Sequence, residues 1–207
     1  MITVGTVYYE NETSSVPPWS RCYTPIWVDR LYRGVVRNLK EPFRFVCLTD
    51  KTYHFEEKIE QQPLIHKHWS TTCLQLHAIE ADRLLLMGLD TIIVGSLDEI
   101  IQYKGQLAVP RDPYRLDNPC NGVVLCPTRH DIANSGAPSD MAALEAFSYE
   151  WLDDLFPSQI LSYKVHMRDK GLKEPPEAAR IVYFHGEPKP QVLAGFPEFQ
   201  WIRDNWE

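Results

Sequence analysis

Asp90 is lodged between two apolar runs, Leu84–Met87 and Thr91–Val94, each the length of one buried strand. A carboxylate in such a place costs free energy unless a cation meets it. A divalent metal is the partner that its position suggests; a turn-capping aspartate is the plainer alternative. Far along the chain, His185 follows a second apolar run and opens His185–Gly186–Glu187–Pro188–Lys189–Pro190. An imidazole and a carboxylate can share a divalent ion, a lysine neutralises phosphate as a point charge, and Gly186 allows close backbone approach. Asp98 and Glu99 are a different matter. Ser96–Leu97–Asp98–Glu99 reads as a capping box ahead of Ile100–Ile101, so both acids are expected to start a helix.

The elements that must position these groups follow from hydrophobic period. Ile2–Tyr9 is a β-rich strand, and residues 10–20 read as a polar, proline-bearing loop. Val28, Leu31, Val35 and Leu39 recur at helical spacing, giving an amphipathic helix from Thr24 to about Leu39. Phe43–Thr49 is a second strand closed by Asp50, so the first part of the chain is a βαβ unit with a right-handed crossover. Lys51–His68 is irregular, and Ser70–Ala81 reads as a helix. Gln106–Val109, Gly122–Cys126, Ile160–Val165 and Ile181–Phe184 are strand-like. Ser139 caps a helix whose stripe runs Met141, Leu144, Phe147, Trp151, Leu155. This is an α/β chain with a mixed sheet, expected as one domain over 1–207. Ligands gather at the carboxyl ends of strands in such sheets, and Tyr8, Asp50, Gly88–Asp90, Asp112 and His185 all fall there.

Composition narrows the function classes. Hydrophobic content of 44% and charged content of 24% are ordinary for a globular chain. A net charge of −7 argues against a general nucleic-acid binder and requires any anionic ligand to find positive charge locally. Five cysteines without framework spacing read as reduced thiols, with Cys47 and Cys126 in the core. No leader pattern and no run near the roughly 20 apolar residues of a membrane span is seen, so a cytoplasmic location is expected. His66, His68 and His77 lack the partners of a second metal site. No P-loop, Gly-x-Ser-x-Gly or Gly-x-Gly-x-x-Gly is present. Lys164, His166, Arg168, Lys170 and Lys173 form a basic segment, either a solvated loop or a lip for an anionic acceptor.

Taken together, Tyr23–Leu39 with Phe43–Asp50, Arg83–Ile100, Asn121–Gly122–Val123 and Phe184–Pro190 resemble glycosyltransferases of the GT-A fold. The similarity is nearer to family 8, the glycogenin and lipopolysaccharide galactosyltransferase group, in a bacterial or phage side branch. The resemblance implies a Rossmann-like nucleotide-sugar fold with a mixed central sheet flanked by helices. It implies a metal-dependent, retaining transfer of a hexosyl or pentosyl unit from a nucleotide sugar, UDP-linked, with Mn²⁺ or Mg²⁺ as cofactor. Residue by residue, it places Asp90 and His185 on the metal and Lys189 with Gly186 on the diphosphate. Tyr8, Tyr9 and the strand-closing Asp50 fall on the nucleotide, Asn121 near the donor sugar, and Asp112 near the sugar hydroxyls. For the late Gly-Asp-Gln of relatives, Asp140 and Gln159 are competing candidates. Gly88 stands where the first carboxylate of an Asp-x-Asp is expected, and no Lys or Arg appears around Trp69–Thr72. Those departures keep a second reading open, a non-catalytic nucleotide-sugar-binding relic; a metal-dependent nucleotidyltransferase is a third, lacking an early glycine-rich loop. The acceptor could be a glycan, a lipid-linked sugar, a protein or a modified phage DNA base.

Overall fold

The structure is a computed structural model and describes residues 1–10 and 22–207, so the loop expected over 10–20 lies, beyond Glu10, outside the described residues. Strand β1 (Ile2–Tyr8) leads through helix α1 (Pro25–Asn38) to β2 (Phe43–Thr49), and the two strands pair in parallel from Ile2 opposite Phe43 to Tyr8 opposite Thr49. A short edge strand β3 (Glu60–Pro63) lies beside β2. It sits inside the stretch that reads as irregular, because Glu-Gln-Gln-Pro carries no apolar alternation and an edge strand is recruited by its neighbour's open hydrogen bonds.

The chain then passes through β4 (Leu84–Met87) and β5 (Thr91–Ile93). Next come β6 (Ala108–Val109) and a hairpin of β7 (Arg111–Asp112) and β8 (Arg115–Pro119). Strand β9 (Val123–Cys126), helix α2 (His130–Ala133) and helix α3 (Asp140–Glu145) follow. After β10 (Glu150–Trp151) and α4 (Leu152–Leu155) come β11 (Ile160–Ser162) and β12 (Ile181–Tyr183). Helices α5 (Pro190–Leu193) and α6 (Gln200–Asn205) complete the order.

Seven strands form the central mixed sheet in the order β10-β6-β9-β4-β1-β2-β3, with β9 antiparallel to both neighbours. A smaller sheet, β11-β12-β5, has β12 antiparallel to β5. Period-two alternation explains why the central strands are apolar on every residue. In β4, Leu85 and Met87 enter the core on the α1 side, while Leu84 and Leu86 enter the core on the α3 side. Val123 and Leu125 of β9 divide from Val124 and Cys126 in the same way.

Four other expectations are corrected. The helix over 70–81 is a tight 3₁₀ turn, Thr72–Ala78, because Thr72 Oγ1 donates to His68 O (2.7 Å) and accepts from His68 N (2.9 Å), local bonds that compete with an α-helical start. The Ser139-capped helix stops at Glu145. Trp151 belongs instead to β10, whose Glu150 N–H donates to Leu107 O at 2.9 Å. Strand β11 ends at Ser162, where Ser162 N–H donates to His166 Nδ1 (3.0 Å) and the chain coils into a π-helical turn, Tyr163–Met167. The capping box does not close. Ser96 Oγ accepts from Asp98 N (3.2 Å), but the Glu99 carboxylate accepts from Gln159 (3.0 Å) over a single 3₁₀ turn, Ile100–Gln102.

Candidate active site

Asp90 marks the place where the chain changes sheets. Leu84–Met87 belongs to the large sheet and Thr91–Ile93 to the small one, so Gly88–Asp90 is the hinge between them. Thr6 Oγ1 pins the end of β4 by donating to Met87 O (2.9 Å), and Thr91 N–H closes the turn on Gly88 O (3.2 Å). Beyond β12, Phe184 N–H donates to Asp90 O (3.2 Å), which delivers His185 and the following turn to the same spot. Gly186 takes a left-handed φ of +61° there, and Lys189 comes back onto Asp90.

The cation beside Asp90 is therefore a lysine. Lys189 Nζ donates to Asp90 Oδ2 in an ion pair whose residues are only 4% and 8% exposed. The same Oδ2 accepts from the Tyr23 hydroxyl (2.9 Å), and the buried carboxylate pushes the Tyr23 phenol far above its ordinary range, after burial itself. An ammonium has three protons to give, so Lys189 keeps donors beyond the one that Asp90 takes.

A cavity of about 380 Å³ opens over this pair. Tyr8 and Tyr9, Asn121 and Asp140, and His185, Gly186 and Lys189 line it together with Asp90. Tyr8 and Tyr9 project to opposite faces of the sheet. Tyr8 packs edge-on to Tyr53 (4.6 Å between centroids) in the α1-side core, and Tyr9 packs on the other side. Asp140 is the first residue of α3; its carboxylate accepts from Asn121 Nδ2 and from Met141 N–H (2.8 Å). Those bonds and the helix start favour the ionised form, yet burial outweighs them and raises its pKa to about 6. His185 exchanges a 2.8 Å hydrogen bond through Nε2 with the fully buried Ser162 hydroxyl, and Tyr114 stands edge-on to its ring at 5.6 Å. Burial, then Lys164, lowers the His185 pKa, so the ring is neutral near pH 7.

Three candidates from the sequence lie away from the cavity lining. Asp50 accepts from the Tyr53 hydroxyl (2.7 Å) and Lys67 Nζ (2.9 Å) beside the end of β1. Asp112 organises the β7–β8 turn, accepting from the backbone N–H of Tyr114 (2.9 Å) and from Arg115 Nη2 (3.1 Å). Gln159 donates to Glu99, as above, and its carbonyl receives Arg180 and Ile181 N–H. Of the two candidates for the late Gly-Asp-Gln, only Asp140 faces the cavity.

The divalent ion that the resemblance implies can be tested against the donor set. Among the described residues no group of three or more His, Cys, Asp or Glu is placed to hold a metal. Gly88 brings no carboxylate, Asp90 Oδ2 already holds an ammonium and a phenol, and His185 Nε2 is engaged by Ser162. These residues do not fit a protein-held divalent ion.

Sequence reasoning missed several neighbours. Tyr23 carries no motif and is found only through its bond to Asp90. Trp69, 57% exposed, lines the cavity, whereas Lys67, just before it, is paired with Asp50 away from the lining. His77, which the sequence excluded only as a metal ligand, is buried in the cavity lining, with burial lowering its pKa to about 4.

No protein-family model and no curated protein sequence matches the chain. Solved structures do. The glycosyltransferase GlyE of Streptococcus pneumoniae TIGR4 superposes with a TM-score of 0.63 at 13% identity, over 98% of this chain and 62% of that one. The galactosyltransferase LgtC, in complex with donor and acceptor sugar analogues, gives 0.62 at 10% identity over 97% and 94%. The bifunctional glycosyltransferase WbbM gives 0.64 at 10% over 98% and 51%. The chain thus spans less than two thirds of GlyE and about half of WbbM, and nearly all of LgtC. The mixed α/β architecture is the GT-A glycosyltransferase fold that the resemblance implied.

Proposed function

We propose that this chain transfers a hexosyl or pentosyl unit from a nucleoside-diphosphate sugar, UDP-linked, to an acceptor hydroxyl. The observation that carries the reading is the convergence of Asp90, His185, Gly186 and Lys189 with Asn121 and Asp140 around one cavity at the junction of the two sheets. The fold shared with GlyE, LgtC and WbbM supports it, as does the complex of LgtC with donor and acceptor sugar analogues. The nucleoside lies toward Tyr9 and Trp69, the diphosphate over Gly186 and Lys189, and the sugar against Asn121 and Asp140. In the transfer, the bond from the anomeric carbon to the diphosphate oxygen breaks and its electron pair leaves with UDP. The acceptor oxygen bonds the anomeric carbon, with the retention of configuration that the resemblance implies, and its proton passes to the departing phosphate.

Asp140 holds the sugar hydroxyls as an acceptor, which requires its ionised form, so turnover rises with pH through about 6. The same group works against the fold. Its folded pKa of about 6 lies above the 3.8 of a free aspartate, so stability declines as pH climbs from about 4 to 6 and stays lower beyond. That difference corresponds to about 3 kcal/mol. Asp140→Asn should therefore raise the unfolding free energy measured in urea at pH 7.5 by about 2 kcal/mol. It should leave UDP affinity unchanged and cut UDP release from the preferred UDP-sugar roughly 100-fold. The deciding assay is UDP release from a panel of UDP-sugars, alongside calorimetric UDP binding. Binding with no release from any sugar or acceptor favours the non-catalytic relic, and absence of UDP binding removes the reading.

A further inference from the structure

Lys164 is a cation that the proposed transfer leaves unused. It stands on the π-helical turn after β11, partly buried, and its Nζ lies 2.8 Å from the point where a Cβ on residue 186 would sit. Glycine at 186 is favoured by its left-handed backbone, and its missing side chain leaves room for the ammonium beside it. Among the described residues the Lys164 ammonium has no hydrogen bond or ion pair; Glu187 and Asp169 act on it only at longer range. Burial, then Arg168 and Lys189, lowers its pKa, so the second ammonium is within electrostatic reach of the first. Gly186 lines the cavity, has the Lys164 ammonium against its Cα and is followed three residues on by Lys189.

The local charge can be summed. Asp90 contributes −1, and Lys189 and Lys164 +1 each, so these three groups sum to +1, and Arg168 offsets one of the two more distant acids, Glu187 and Asp169, in a chain of net charge −7. A divalent ion on Asp90 would meet a carboxylate whose charge an ammonium on Oδ2 already balances, and would find neither a carboxylate at Gly88 nor a free His185 Nε2. Taking the donor reading above as given, we propose that Lys164 and Lys189 together seat the donor's diphosphate across the Gly186 turn, and that donor binding proceeds without a divalent cation. Asp90 then acts as a positioning residue that aims Lys189, and the diphosphate receives N–H donors from both sides of the glycine.

Calorimetric titration of UDP into the full chain, in EDTA and again in MnCl₂, tests this with wild type, Lys164→Ala and Lys164→Arg. UDP is expected to bind in EDTA with little change on adding Mn²⁺. Lys164→Ala should weaken that binding roughly tenfold or more, and Lys164→Arg should retain most of it. The side chain makes no hydrogen bond or ion pair among the described residues, so both variants should unfold at the wild-type temperature. Binding that appears only with Mn²⁺ would overturn the metal-free seat while leaving the nucleotide-sugar reading intact. EDTA binding that Lys164→Ala leaves untouched would overturn the role of Lys164. No UDP binding under either condition would remove both.

Discussion

Asp90 and Lys189 bury opposite charges side by side, and the physics of such pairs is asymmetric. Their mutual attraction is largely offset by desolvation, yet either partner alone would be an uncompensated charge in the core. Asp90→Ala is therefore expected to lower unfolding stability by about 3–5 kcal/mol by stranding the Lys189 ammonium. Asp90→Ala combined with Lys189→Met should recover most of that loss, since no buried charge remains. Urea unfolding of the four proteins in the cycle checks it. An Asp90→Ala protein with the wild-type midpoint would mean that water reaches Lys189, and that the pair is not the desolvated unit its low exposure indicates.

At the scale of elements, two glycines with the same residue type do opposite work. Gly34 lies inside α1, where an added Cβ would meet Ile93 of β5 at 3.6 Å, an ordinary contact. Gly34→Ala should stabilise by up to about 1 kcal/mol, because a helix interior disfavours glycine. Gly122, entering β9, would place a Cβ 2.7 Å from the ring of Tyr183, which is buried in β12. That ring cannot retreat, so Gly122→Ala should cost about 1–3 kcal/mol. Thermal unfolding of both variants should give shifts of opposite sign; a gain for Gly122→Ala would show that β12 can slide away from the large sheet.

Across the whole molecule, the last residues of the chain return to α1. Trp206 packs edge-on to Trp27 (4.6 Å between centroids), with the Arg30 guanidinium 4.3 Å over its ring. Trp27 in turn packs against Tyr23 (4.9 Å), whose hydroxyl is bonded to Asp90. An aromatic relay thus joins residues near the C-terminus to the candidate site. Trp206→Ala should cost about 3–5 kcal/mol through the cavity it leaves. For a chain of this size that lowers the midpoint of thermal unfolding by on the order of 10 °C. Calorimetry showing almost no shift would mean that α6 does not help to hold α1 on the sheet.

Local pattern alone determined much of the frame. The apolar runs and helical spacing place β1, α1, β2, β4, β5, β9 and β12 within a residue or two, because each buries a face whose period is written in its own side chains. The fold class followed from their alternation, and the strand-end positions picked out Tyr8, Asp90 and His185, which share one cavity, along with Asp50 and Asp112, which lie away from it; Lys189 came from its spacing after His185, and Asn121 and Asp140 from the resemblance. Tertiary structure decided the rest. Strand β3 exists only because β2 offers an edge, and the stripe from Met141 to Leu155 breaks because β6 recruits Glu150. Above all, the sequence showed that Asp90 needed a cation but could not say which. Lys189 lies 99 residues away, and nothing in local chemistry distinguishes a lysine that faces phosphate from one that faces a carboxylate. Only the fold, by returning the turn after β12 onto the hinge after β4, brings Lys189, Tyr23 and Asp90 together.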